Sequence, residues 1–180
     1  VKDVPKEKGV LNREEVQKLF SIHDPDIRID CLVKLAVLTG MRRGELRGLR
    51  WEDIDEKERL IHVQNNFQDL EGSKGCKCGS ARYVVLPSVI IPLFHEVRKF
   101  SNFTEPEDFV FYSASKSPDE PVSGEVIKTG FVRILAEAGI SQTEQKERNI
   151  TLHGMRHTFI TLARYAGLPD AEVMALAGHK

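Results

Sequence analysis

Two short segments of this 180-residue chain set an arginine beside a residue that can hold it or work with it. In Leu38-Thr39-Gly40-Met41-Arg42-Arg43-Gly44-Glu45-Leu46, Gly40 ends one apolar-periodic stretch and a second helical stretch begins at once, so Arg42 falls at a helix junction. Arg42 and Glu45 are three positions apart, a spacing that shares a helical face and lets the carboxylate fix the guanidinium. A held arginine fork suits a phosphate better than a flexible lysine does. In Leu152-His153-Gly154-Met155-Arg156-His157-Thr158-Phe159, His153 and Arg156 repeat that spacing. One helix face then offers a cation for an oxyanion and an imidazole to move a proton. The bland alternatives are an ordinary surface ion pair at Arg42–Glu45 and a solvated polar helix start at His153. His157 points away from its neighbour Arg156 and reads as structural. A third segment, Leu176-Ala177-Gly178-His179, carries no chemistry when taken alone.

These residues need elements to position them. Residues 1–10 are polar and without period, which reads as a linker or tail, and residues 11–180 as one domain. Asn12 followed by Glu15 is a capping-box variant opening a helix that buries Val16, Leu19 and Phe20. Ile27, Cys31, Leu32, Leu35, Ala36 and Leu38 continue in helical spacing up to Gly40, and a short helix follows from Arg43 to Leu49. Leu60-Ile61-His62-Val63 alternates as a half-buried strand, and Arg82 to Pro87 reads as the returning strand. Between them Gly72 to Ser80 reads as a glycine-rich loop, a hairpin tip carrying Lys74 and Lys77. Further helices are predicted over 88–100, 123–138, 152–165 and 169–177, with Phe109-Val110-Phe111 a strand or a buried loop. The sum is a mainly α fold with a small antiparallel β-sheet, an α+β class without βαβ alternation.

Composition narrows the function classes. A hydrophobic fraction of 41% and a charged fraction of 29% are ordinary for a globular domain. No apolar run is long enough to span a bilayer, so no membrane partner is expected and a cytoplasmic location is. Three cysteines, Cys31, Cys76 and Cys78, cannot complete a disulfide framework. Cys76 and Cys78 flank Lys77, but Cys-x-Cys lacks the usual zinc spacing and has no second ligand pair nearby, so neither metal nor cofactor is expected. A net charge of −1 weighs against a wholly basic DNA-binding surface. The basic residues are nevertheless clustered: Arg42, Arg43, Arg47 and Arg50; Lys74, Lys77 and Arg82; Arg156, His157 and Arg164.

Together the three segments resemble the tyrosine recombinase, or phage integrase, family. Its pattern runs T-G-x-R-x-x-E-L, then H-x-x-R-H-T on a later helix, then L-G-H. This chain carries Thr39 to Leu46, His153 to Thr158 and Gly178-His179 in that order, with Ala177 before the Gly-His pair, and Leu49 to Ile54 matches the usual continuation. The resemblance implies that Arg42 and Arg156 grip the scissile phosphate, that His153 assists proton transfer, and that His179 hydrogen-bonds a phosphate oxygen. Glu45 would support Arg42. The family also places a lysine on the hairpin as acid toward the leaving 5′-oxygen; Lys77, ten residues before Pro87, and Lys74 are both candidates. Arg43, Lys74 and Arg82 would contact DNA. The implied partners are double-stranded DNA and further copies of the parent protein, as a tetramer on DNA. The family's nucleophile is a tyrosine beyond L-G-H, and Tyr83, Tyr112 and Tyr165 do not occupy that place. The expected identity is therefore a recombinase catalytic domain lacking its tyrosine segment. The alternative is a DNA-binding regulatory module of the same fold without catalysis.

Overall fold

The fold follows from one helix that is apolar on nearly every side. A computed structural model describes residues 9–68, 72–75 (backbone only), 81–114 and 120–178. Helix α1 (Arg13–Ser21) starts at the predicted capping box, with the Asn12 side chain accepting from the Glu15 backbone and Glu15 from the Asn12 backbone. Helix α2 (Ile27–Thr39) buries almost every residue it has, which marks a central core helix rather than a surface one. It packs against the later helices, and its two buried charges, Asp30 and Lys34, satisfy each other at 2.8 Å one turn apart. Gly40 ends it in the left-handed region at φ 62°, where a side chain would be strained.

Helix α3 (Arg43–Arg47) follows immediately and stops two residues earlier than its periodicity predicts. After a 3-10 turn (Trp51–Asp53) come β1 (Ile54–Asp55), β2 (Leu60–Val63), β3 (Asn65–Gln68), β4 (Gly72–Gly75) and β5 (Arg82–Val85). Strands β1, β2 and β5 form one antiparallel sheet in that order, with Ile61 paired to Val84 on the buried side. On the outer side His62 stacks on Tyr83. Residues 72–75 are not loop: β4 pairs with β3 as a second antiparallel ribbon, Asn66 opposite Lys74. Asn65–Gln68 has little apolar content, so periodicity gave no signal for it. Residues 76–80, which include Cys76, Lys77 and Cys78, lie outside the described residues.

Helix α4 (Ile91–Phe100) is entered through a 3-10 turn (Ser88–Ile90). Phe109, Val110 and Phe111 are fully buried loop, tied by Val110 N–H to Leu49 O and by Val122 N–H to Phe111 O. Helices α5 (Gly124–Glu137, capped by Ser123), α6 (Gln142–Glu147, capped by Ser141), α7 (Gly154–Tyr165) and α8 (Asp170–Ala177) complete the chain. Helix α6 is short and polar, and the sequence pattern does not predict it. Helix α8 rests on α7 through a small separate cluster of Ile160, Val173 and Ala177. The architecture is thus mainly α with a small antiparallel sheet, as the element pattern predicts. The chain enters this body by Gly9 and Val10: Gly9 N–H donates to Arg148 O, and Arg148 donates to Val10 O.

Candidate active site

The α2–α3 junction, the start of α7, the start of β5 and the end of α8 meet at one place. Arg42 stands at the junction as the residue before α3. Its backbone N–H and its Nη1 both donate to Glu45, at 2.8 Å and 2.9 Å, so the predicted i, i+3 brace forms. Its Nη2 donates to the carbonyl of Gly178 at 3.2 Å, which brings the third segment to the first. The Arg42 side chain is 42% exposed while that of Glu45 is 4% exposed, so a buried carboxylate holds a cation at the surface.

Arg156 lies in the first turn of α7. It is 3% exposed, and its Nη1 donates to Gly40 O at 2.8 Å. Phe159, one turn further along α7, presses against Gly40; a Cβ there would lie 2.7 Å from its ring. Gly40 therefore serves twice, ending α2 and letting α7 approach. The Arg156 Nη2 is buried and has no hydrogen-bond partner among the described residues. Burial first, and then the charge of Arg42, push the Arg156 pKa down to about 10, with Glu45 opposing them. A guanidinium in that condition is a cation waiting for an anion.

His153 precedes α7 and is exposed, with its ring edge-on to His157 at 5.6 Å between centroids. His157 is likewise exposed, and its ring meets that of His153. Burial, His157, Arg156 and Arg42 lower the His153 pKa, so the ring is neutral at pH 7 and able to accept a proton. Arg43 is exposed at the rim of a cleft of about 860 Å³ that also includes His153, Lys128, Phe131 and Ile150.

Arg82, expected as a DNA contact, turns inward. Its two Nη atoms donate to the two Glu45 oxygens at 3.0 and 2.9 Å, and its side chain is 13% exposed. Burial alone would raise the Glu45 pKa; the hydrogen bonds from Arg82 and from the Arg42 backbone outweigh it and hold the carboxyl below its usual range. Sequence reasoning missed this contact because the partners are 37 residues apart and no local period links them. It also missed why a glycine, Gly44, lies within α3. A Cβ on Gly44 would lie 1.9 Å from Asn66 Oδ1 and 3.0 Å from Phe67 O, so the bare helix face is what lets the β3–β4 ribbon lie on the arginine helix. Lys74 is on that ribbon; its side chain, Lys77 and His179 lie outside the described residues. Among the described residues no group of three or more His, Cys, Asp or Glu side chains comes together to hold a metal ion. No described helix is long and apolar enough to cross a membrane.

The family pattern described as the phage integrase family matches residues 9–180. The chain is 29% identical over 177 residues to the tyrosine recombinase XerC-like protein of Caldanaerobacter subterraneus subsp. tengcongensis, covering 84% of this chain and 42% of that protein. It is 29% identical over 171 residues to tyrosine recombinase XerA of Pyrococcus furiosus, covering 94% of this chain and 52% of that protein. The chain therefore spans only about half the length of these relatives. Among solved structures, the Tn1549 transposon integrase in complex with circular intermediate DNA shares the fold with a TM-score of 0.76 at 22% identity, over 98% of this chain and 60% of that one. The XerA recombinase crystal structure does so with a TM-score of 0.73 at 20% identity, over 99% and 57%. The chain belongs to the phage integrase, or tyrosine recombinase, family.

Proposed function

We propose that this domain is the phosphate-gripping part of a site-specific DNA recombinase, whose parent protein cleaves and rejoins strands through a covalent 3′-phosphotyrosine. The observation that carries the reading is Arg156: a buried guanidinium with an unpaired Nη2, its charge set against that of Arg42. Arg42, Arg82 and Arg156 have one neighbouring carboxylate, Glu45, among the described residues, so a further anion beside Arg156 is favoured. A DNA phosphate supplies that anion, and the further charge of a pentacoordinate transition state strengthens the attraction as the reaction proceeds. Arg42 is the outer jaw, aimed by Glu45, and Arg156 the inner one. His153, neutral at pH 7, accepts the proton of the attacking hydroxyl and returns it on rejoining. His179, following Gly178, donates to a phosphate oxygen, and Lys77 or Lys74 on the hairpin protonates the leaving 5′-oxygen. Arg43 on the rim contacts the DNA backbone.

We assign the nucleophile to none of the three tyrosines of this chain: Tyr83 is stacked on His62, the Tyr112 hydroxyl donates to Phe100 O, and Tyr165 stands exposed at the end of α7. The relatives' names and the DNA-bound neighbours support a double-stranded DNA substrate, and the parent is expected to act as a homotetramer on it. A suicide duplex nicked beside its scissile phosphate tests the reading. Protein extending past Lys180 should be captured as an SDS-resistant adduct, lost on Arg42→Gln or Arg156→Gln, and the 180-residue chain should form none. Capture by the 180-residue chain would contradict the placement of the nucleophile. No capture by the longer protein, with DNA binding intact, would favour a regulatory DNA-binding module.

A further inference from the structure

Glu45 offers two oxygens with about four lone-pair sites between them, and the structure fills them all. Oε1 accepts from Arg42 Nη1 and from Arg82 Nη1; Oε2 accepts from the Arg42 backbone N–H and from Arg82 Nη2. One buried carboxylate is thus shared by an outward arginine and an inward one. Arg82 is the more enclosed of the two, and its Nε is buried with no hydrogen-bond partner among the described residues. Over its guanidinium lies Gly178, in the left-handed region at φ 72°. A Cβ on Gly178 would stand 2.8 Å from Arg82 Cζ and Nε and 3.0 Å from Cδ. The carbonyl of Gly178 in turn accepts from Arg42 Nη2. Arg82, Glu45, Arg42 and Gly178 therefore close a ring of contacts drawn from β5, α3, the α2–α3 junction and the end of α8.

We propose that Arg82 is a positioning residue for the phosphate chemistry, locking the Glu45 carboxylate that aims Arg42 and fixing where the Gly178 turn meets the cradle. This rests on the phosphate-gripping reading above. A lysine could restore the charge but not the lock, because a single ammonium cannot present two parallel donors to both carboxylate oxygens. The requirement for glycine at 178 then has a cause beyond its helix-ending φ: any side chain would push the Arg82 fork off Glu45.

The test uses the 180-residue chain and a generic 20-base-pair duplex as probe. Arginine side-chain 15N–1H spectra, with Arg42 assigned from its loss in Arg42→Gln, report whether its guanidinium is held or free to rotate. Wild type should show resolved, slowly rotating Arg42 signals. In Arg82→Gln, Arg82→Lys and Gly178→Ala they should collapse to averaged positions. Duplex affinity at fixed salt should fall about tenfold in each, with the salt slope unchanged. If Arg82→Gln does not fold, the charge-preserving Arg82→Lys and Gly178→Ala carry the test. Unchanged Arg42 signals in all variants that fold would overturn the proposal. So would wild-type affinity in Arg82→Lys with a loss of about one unit of salt slope in Arg82→Gln, the signature of a direct phosphate contact. Wild-type DNA affinity in Arg42→Gln would instead sink the phosphate reading, and with it any role for Arg82 in that chemistry.

Discussion

Replacing Arg156 by methionine should stabilise this domain. Arg156 is 3% exposed, has one hydrogen bond to Gly40 O, and leaves Nη2 without a partner among the described residues. Its pKa is lowered to about 10, which at about 1.4 kcal/mol per pH unit means about 3 kcal/mol held against folding by the charged form. The folded state binds fewer protons than the unfolded one only from about pH 10 up to the ordinary arginine range, so stability rises with pH only across that window. At pH 7 the whole cost stands. Methionine keeps the packing of the stem and gives up the charge-assisted Gly40 bond, worth about 2 kcal/mol. The net gain is about 1 kcal/mol, or about 2–4 °C in melting temperature for a domain of this size. Thermal unfolding followed by circular dichroism at pH 7, without phosphate, measures it. Adding duplex DNA should raise the melting temperature of wild type more than that of Arg156→Met. A drop of several degrees on substitution would refute the reasoning, because it would make Arg156 a structural cation rather than one held ready for an anion.

Glu45→Gln should cost about 3 kcal/mol at pH 7, since it leaves the enclosed Arg82 guanidinium without its carboxylate. Because the folded Glu45 pKa lies below 4.5, the stability it gives is present above pH 4.5 and lost as pH falls through the folded value, and the substitution should flatten that acid limb in pH-dependent unfolding. His153 should titrate below 6.5 in the free domain and move upward when duplex DNA neutralises Arg42 and Arg156, as read from its imidazole proton shifts; an unmoved value would argue that no anion binds beside it. Between pH 6.5 and its lower folded value, the unfolded chain takes the proton first, so acidification there should lower stability, and His153→Gln should remove that slope. Gly44→Ala should cost about 1–3 kcal/mol, because Phe67 O is backbone and cannot step aside; an unchanged melting temperature would mean the β3–β4 ribbon is not seated on α3.

The elements with strong local signals were legible in the sequence, and so were the motifs built on them. Asn12 and Glu15 announce α1, Gly40 ends α2, and Ser123 caps α5, because each signal acts within one turn of its own residue. The brace of Arg42 by Glu45 was legible for the same reason, being an i, i+3 contact. What escaped depends on distance along the chain. Arg82 sits on the returning strand, and only the fold reveals that it meets Glu45 rather than solvent. Arg42 reaches Gly178 across 136 residues, and Arg156 reaches Gly40 across 116. The second ribbon was missed because Asn65–Gln68 has no apolar alternation and Gly72–Gly75 is composed like a loop; its partner is a helix made bare by glycine. A Gly-x-x-x-Gly spacing at Gly44 and Gly48 was the available clue.

Whether Arg42 and Arg156 jointly grip a DNA phosphate is decided by duplex affinity as a function of salt for wild type, Arg42→Gln, Arg156→Met and the double variant. The salt slope should be shallower by about one for either single substitution. The double variant should lose little more than either single one, because one phosphate needs both jaws. Four parallel lines with the wild-type slope would contradict it, placing the DNA on some other face of the domain.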